Sequence, residues 1–379
     1  MQYTNPSGYP PLEHSSRVFA DAGWEVLFLG TGAFGTGNLR FESHKNIQVK
    51  LIPFCSPGAA QKIHYAFFIF WAFIQSIFWR PNLVYASDHF SCLPTLLWSV
   101  LTRIQVVYHE HDTPSAKQAN FFIKCCLWAR KELSGRALCC VIPNEKRLEN
   151  FTQEVKLPLE KVVCVYNCPS RNEVVEWAPK NLNLSTDFWI LYHGSIVPER
   201  LPLTVIEALA LLPKPARLRL IGYETVGSLG YIRRIRECAV QYHVDDRLDT
   251  INAIPRQDLL RHAAQCDIGV SFMPNETCDV NMRHMTGASN KPFDYLARGL
   301  PLLVSDLPDW VEMYVKPGYG LACNPTDSQS IAKAINWFME HPEEMRTMGE
   351  RGRQRIISEW NYEAQFAPVL EKILGVLKK

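Results

Sequence analysis

Several features that would fix the class of a chain at once are missing here. Forty Lys and Arg stand against thirty-eight Asp and Glu, a net +2 over 379 residues, so no global excess of charge draws the chain to nucleic acid. No two of the twelve cysteines have the two-residue spacing of a zinc knuckle or a thioredoxin-like site, and the histidines form no zincin pattern, which argues against a structural metal. No Gly-x-Gly-x-x-Gly follows an early strand, which removes the nicotinamide dinucleotide fingerprint. An Asp-x-Asp motif is also absent. Residues 1–6 have neither a basic leader nor an apolar core, so no secretory signal is expected. With 47% apolar and 21% charged residues, collagen-like, coiled-coil and disordered classes are excluded.

What remains is an ordinary folding composition of a length that predicts two domains, or three, at about 100 to 200 residues each. The adjacent pairs Cys125-Cys126 and Cys139-Cys140, and the apolar runs holding most other cysteines, fit free thiols in a reducing cytoplasm. Short apolar runs at 26–30, 47–54, 83–87, 106–110, 137–143 and 162–167 alternate with helix-period segments. Strands buried on both faces read this way, so the pattern predicts a parallel α/β sheet. After a polar stretch the alternation restarts at 189–194, 218–223, 248–254, 268–273, 302–305 and 320–323. The expected organisation is α/β, two Rossmann-like, doubly wound domains facing across a cleft: 1–171, a linker at 172–187, 188–357, and a closing helix at 358–379 returning to the first domain. The first series opens in the loop that normally follows a first strand, so that strand is expected to be missing, with residues 1–3 as its stump.

Residues 63–79 hold only His64, Gln75 and Ser76 as polar members. That length barely spans a bilayer, and a crossing there would separate strands of one sheet. Two readings stay open: burial in the core, or contact with a membrane surface. Residues 115–147 carry seven basic and two acidic residues together with Phe121, Phe122 and Trp128, a mixture suited to anionic headgroups and equally to a solvated basic helix.

Two segments have the residue types for phosphate chemistry. A strand runs into Gly194-Ser195, then a turn with Arg200, then a helix, and such a junction offers close approach and free amides to a phosphate. In the second, Ser289-Asn290-Lys291-Pro292-Phe293-Asp294 reads as an Asn-capped helix start, with Lys291 beside bare amides and Asp294 one turn in. The bland alternative is that Asp294 complements the helix dipole and Lys291 is solvated.

The run Asn290-Lys291-Pro292-Phe293-Asp294-Tyr295-Leu296-Ala297-Arg298-Gly299-Leu300-Pro301 resembles the donor-site signature of retaining glycosyltransferases of the GT-B fold, the group-1 or family-4 class. Residues 254–260, 265–270 and 359–362 follow the same pattern, and the resemblance covers nearly the whole chain. It implies transfer of a sugar from a nucleotide-diphosphate donor to a saccharide or lipid-linked saccharide acceptor, with no cofactor beyond the nucleotide sugar and no bound metal. It places Gly194, Ser195, Arg200, Thr286, Asn290, Lys291 and Asp294 on the donor, with Asp294 at the ribose. Arg200 and Lys291 would carry the charge of the leaving group and His111 would stand near the donor sugar. Gly8, Tyr9 and Glu13 would lie on the acceptor side. Two positions depart from the pattern: Thr286 replaces a glutamate and Ser195 replaces an arginine.

The expected protein is cytoplasmic, and peripheral contact with an anionic membrane is allowed by residues 63–79 and 115–147. Two rivals remain: a nucleotide-sugar epimerase of the same architecture, and a silent nucleotide- or saccharide-binding subunit.

Overall fold

The computed structural model describes residues 1–115, 120–174 and 187–377; most of the expected linker, 175–186, lies outside the described residues. The chain divides into two compact units, one of Met1–Asn167 with Tyr362–Lys379 and the other of Cys168–Asn361. All twelve apolar runs are strands, and all their pairings are parallel. All twelve cysteines are free.

The first unit contains β1 (Val26–Thr31), β2 (Ile47–Ile52), β3 (Leu83–Ser87), β4 (Gln105–His109), β5 (Cys139–Ile142) and β6 (Val162–Cys164). They pair as β1-β2 and as β3-β4-β5-β6. Residues 1–4 lie between the two pieces and hydrogen-bond to both. The amide of Gln2 donates to the Leu29 carbonyl (3.0 Å) and that of Thr31 to the Thr4 carbonyl (3.1 Å). On the other side the Met1 ammonium donates to the Tyr85 carbonyl (2.7 Å) and the Ser87 amide to that of Met1 (3.0 Å). Burial pushes the Met1 amine down to about 5. Where this short segment ends, a cavity of about 110 Å³ opens among Met1, Phe19, Val26, Phe28, Leu83 and Tyr85.

Helix α1 (Pro10–Asp21) precedes β1, and α2 (Ala59–Trp79), α3 (His89–Thr102), α4 (Phe121–Arg136) and α5 (Glu145–Val155) connect the strands from β2 to β6. The helix Tyr362–Leu377 packs Tyr362, Phe366, Val369 and Ile373 against Val107, Cys139 and Val141. Each such side chain contributes about 1.5–3 kcal/mol on full burial. The reading of residues 63–79 as a helix buried all round does not hold. α2 buries Tyr65, Phe68, Ala72 and Ser76 and leaves Ile63, Phe67, Phe70 and Phe78 in solvent. Among the described residues no helix is long and apolar enough to cross a membrane.

The second unit contains β7 (Phe188–Ser195), β8 (Ala216–Tyr223), β9 (Leu248–Asn252), β10 (Ile268–Ser271), β11 (Leu302–Ser305) and β12 (Gly320–Cys323), in the order β12-β11-β10-β7-β8-β9. Its helices include α6 (Thr204–Leu211), α7 (Tyr231–Gln241), α8 (Arg256–Ala263), α9 (Val280–Arg283) and α10 (Asn290–Ala297). The chain leaves β7 toward β8 on one side and pairs with β10 on the other. That reversal makes the carboxyl ends of β7 and β10 the place where such a sheet binds ligands.

Candidate functional site

At the carboxyl end of β7, Gly194 has φ +97°, a conformation that a side chain would strain. A Cβ there would lie 3.4 Å from Nζ of Lys291, so the glycine also lets that side chain lie against the strand end. The Lys291 ammonium sits 5.2 Å from the Tyr192 ring centroid. Burial, and then the charge of Arg200, lower its pKa to about 7, against the opposing pull of Asp294. Arg200 reaches the same place from the turn after β7, with Nε 3.4 Å from Sδ of Met282. Two cations thus share one corner, and among the described residues neither forms an ion pair. The Ser195 carbonyl accepts from the Tyr192 hydroxyl at 2.7 Å.

α10 begins beside this corner. Asn290 is its first residue and not its cap, which corrects the sequence reading: Ser289 holds the cap position and makes no side-chain bond to the first turn. The first amides are therefore uncapped by a side chain, although Pro292 lends none. Oδ1 of Asn290 is buried with no hydrogen-bond partner among the described residues. Thr286 is buried in the preceding turn, next to Gly287 at φ +76°.

Asp294 departs most from expectation. Its carboxylate is only 2% exposed and takes two bonds from Arg256, Nη2 to Oδ1 at 2.7 Å and Nη1 to Oδ2 at 3.1 Å. Arg256 in turn holds both oxygens of Glu173, through Nη2 at 3.0 Å and through Nε. His193 lies 3.4 Å from Asp294, but burial holds its pKa down to about 3, so the contact is not an ion pair. Each of the two oxygens expected to accept ribose hydroxyls accepts one bond from Arg256. In this structure Asp294 is the partner of Arg256, and Arg256, Glu173 and His193 are members that sequence reasoning missed. The spacing of 38 and 83 residues between partners leaves no local signal for the pairing.

In the first unit, His111 follows β4. Both of its ring nitrogens are buried with no hydrogen-bond partner among the described residues, and its ring lies 3.9 Å from that of His109 and 5.8 Å from that of Tyr9. Burial, then Arg147, lower its pKa to about 3, so the imidazole is neutral. Asp88, which the sequence did not single out, sets the backbone there: Oδ1 accepts from the amides of His111 (2.8 Å) and Asp112 (3.3 Å). It holds φ +60°, unusual for a residue other than glycine. Burial, then the charge of Asp112, push its pKa up to about 8. Gly8 ends a 3-10 turn and Tyr9, beside His111, holds the N-cap position of α1. Glu13 accepts instead from Arg17 (3.4 Å) and from the Glu42 amide (3.2 Å).

Residues 174–355 match the family model of glycosyl transferases group 1. Among curated proteins no sequence matches significantly. Solved structures share the fold end to end. Anabaena HepE in complex with UDP and glucose is 16% identical with a TM-score of 0.71, over 99% of each chain. Sucrose-phosphate synthase from Thermosynechococcus elongatus is 15% identical with a TM-score of 0.72, over 100% of this chain and 98% of that one. WaaG, a glycosyltransferase involved in lipopolysaccharide biosynthesis, is 13% identical with a TM-score of 0.64, over 98% and 97%. The architecture is the two-domain α/β fold of the GT-B glycosyltransferases.

Proposed function

From the match of residues 174–355 to the family model of glycosyl transferases group 1, we propose that this protein moves a hexosyl group from a nucleotide-diphosphate sugar to a saccharide or lipid-linked saccharide, with retention. The observation that carries the reading is the corner of Gly194, Arg200 and Lys291: two cations, one buried, neither in an ion pair among the described residues. Breaking a glycosyl-phosphate bond develops positive charge on the sugar and negative charge on the departing diphosphate. Fixed cations and helix amides aimed at that diphosphate stabilise the transition state most where water is excluded. Arg200 and Lys291 thereby supply charge that a metal would otherwise bring. Neutral His111, with neither nitrogen hydrogen-bonded among the described residues, suits hydrogen bonding to sugar hydroxyls better than proton donation at neutral pH. HepE was solved with UDP, which makes uridine the first nucleotide to test. Twelve free thiols suit a reducing, cytoplasmic setting, and assembly of a polysaccharide or glycoconjugate is the natural use of such a transfer.

The test is a panel of nucleoside diphosphates read by thermal stabilisation. A true ligand at 100 times its Kd adds about 2.7 kcal/mol. Arg200→Ala should lower turnover of the cognate donor sugar more than it weakens ground-state binding, because the charge it faces grows as the bond breaks. If no nucleoside diphosphate stabilises the folded protein, the reading fails.

A further inference from the structure

The outer faces of α2, α3 and α4 form the least protein-like surface of the first unit. The three helices pack on one another through Phe73 and Trp98 (4.9 Å between ring centroids), Tyr65 and Phe122 (4.9 Å), and Phe90 and Phe122 (6.0 Å). With the inner rings committed to those contacts, other large apolar side chains point away. Ile63, Phe70 and Phe78 on α2, Leu101 on α3, and Phe121 and Trp128 on α4 are all more than half exposed, Phe78 and Phe121 by 81% and 82%. Exposed apolar residues scattered singly need no explanation, but rows of them at helical spacing on adjacent helices do.

Charge says what covers them. From residue 59 to residue 102 the only acidic residue is Asp88, which is turned inward onto the His111 amide. The exposed cations on these elements are Lys62, Arg80, Arg103, Lys124, Lys131 and Arg136, against the single acid Glu132 on α4. An apolar face rimmed by cations, with an indole at its edge, matches the headgroup region of an anionic bilayer: apolar side chains enter the acyl boundary while the cations meet lipid phosphates. We propose that this face docks the first unit on an anionic phospholipid membrane. α2 lies along the surface in this arrangement and does not cross it. Docking there is independent of the donor-site reading, because none of these side chains belongs to it.

Cosedimentation of the whole chain with phosphatidylserine-containing vesicles, and with pure phosphatidylcholine vesicles, tests the proposal. At about 0.1 M salt, where the Debye length is about 10 Å, binding to the anionic vesicles should be at least about tenfold stronger, and the difference should collapse near 1 M, where that length is about 3 Å. Two variants separate the contributions. Phe70→Asp with Phe78→Asp should lower binding to the anionic vesicles by at least about tenfold. Arg80→Gln with Arg103→Gln and Lys124→Gln should abolish the preference for anionic over neutral vesicles. Both should keep the parent's melting temperature and nucleoside diphosphate binding, and the charge variant alters only exposed groups, so it keeps the test decisive if the apolar variant misfolds. Three results would each overturn the proposal: no binding to either vesicle, equal binding to both, or a parent that binds no vesicle and forms a dimer that Phe78→Asp dissociates. In the last case the face is a contact between copies of this chain.

Discussion

Lys291 carries its proton or loses it close to neutral pH, and that makes it the most informative single residue. An ordinary lysine titrates at 10.5, whereas burial and Arg200 bring this one to about 7. A diphosphate beside it favours the ammonium form and raises the pKa in the complex. Affinity for a nucleoside diphosphate should therefore be greatest below pH 7 and fall as pH rises through 7, by up to about tenfold per unit, levelling above the pKa of the complex. Calorimetric titrations from pH 6 to pH 9, with Lys291→Met as the control that subtracts the ligand's own ionisation, measure this; a parent and control with parallel profiles would refute it. Asp294 gives the second test. As the partner of buried Arg256, its replacement by Asn should cost about 3 kcal/mol of stability in chemical denaturation, since it leaves a buried charge less well matched. A ribose ligand, in contrast, would lose affinity on this substitution and keep stability. Arg200 and Lys291 are visible in the sequence because each sits within a few residues of a strand end or helix start. The Arg256, Asp294 and Glu173 triad is not, because contact between distant residues leaves no local pattern.

Elements were more legible than contacts, for a physical reason. A parallel strand covered on both faces needs a continuous apolar run, and each of the twelve runs became a strand, with ends shifted by only a few residues. Helix faces are harder: the apolar run of α2 fixes that it is a helix, but which side is covered depends on neighbours such as Trp98 and Phe122. Caps fail in a similar way, as Ser289 and Asn290 show, because the choice between two adjacent polar residues rests on backbone geometry. The gap between β1 and β3 supplies a prediction at this scale. An apolar strand of about six residues fused ahead of Met1 would pair with the edges of β1 and β3, replace a buried amine with an amide, and fill the cavity lined by Phe19, Phe28 and Leu83. Filling about 110 Å³ at about 24 cal/mol per Å³ gives about 2 to 3 kcal/mol. That corresponds to a rise of several degrees in melting temperature, about 2–4 °C per kcal/mol for a unit of this size. An unchanged melting temperature would mean that residues 1–4 already satisfy the sheet.

Across the whole molecule, stability is divided between cores that belong to different stretches of chain. Phe188, Leu218, Ile268 and Leu303 anchor one in the second unit, whereas the first unit borrows Tyr362, Phe366, Val369 and Ile373 from the far end of the sequence. Chains with more than one core need not unfold in one step. Scanning calorimetry should resolve two transitions, and the groups that meet the donor decide which one a ligand moves. Gly194, Arg200 and Lys291 all lie within Cys168–Asn361, so UDP, if it is the nucleotide recognised, should raise only the transition of that unit, by about 2.7 kcal/mol at 100 times its Kd. Phe366→Ala should lower the other transition by about 3–5 kcal/mol, because it empties a fully buried aromatic site. The two perturbations should then act on different peaks and add without interaction. If Phe366→Ala moves the same peak as UDP, the helix Tyr362–Leu377 supports both units at once, and the donor site is tied energetically to the far end of the chain.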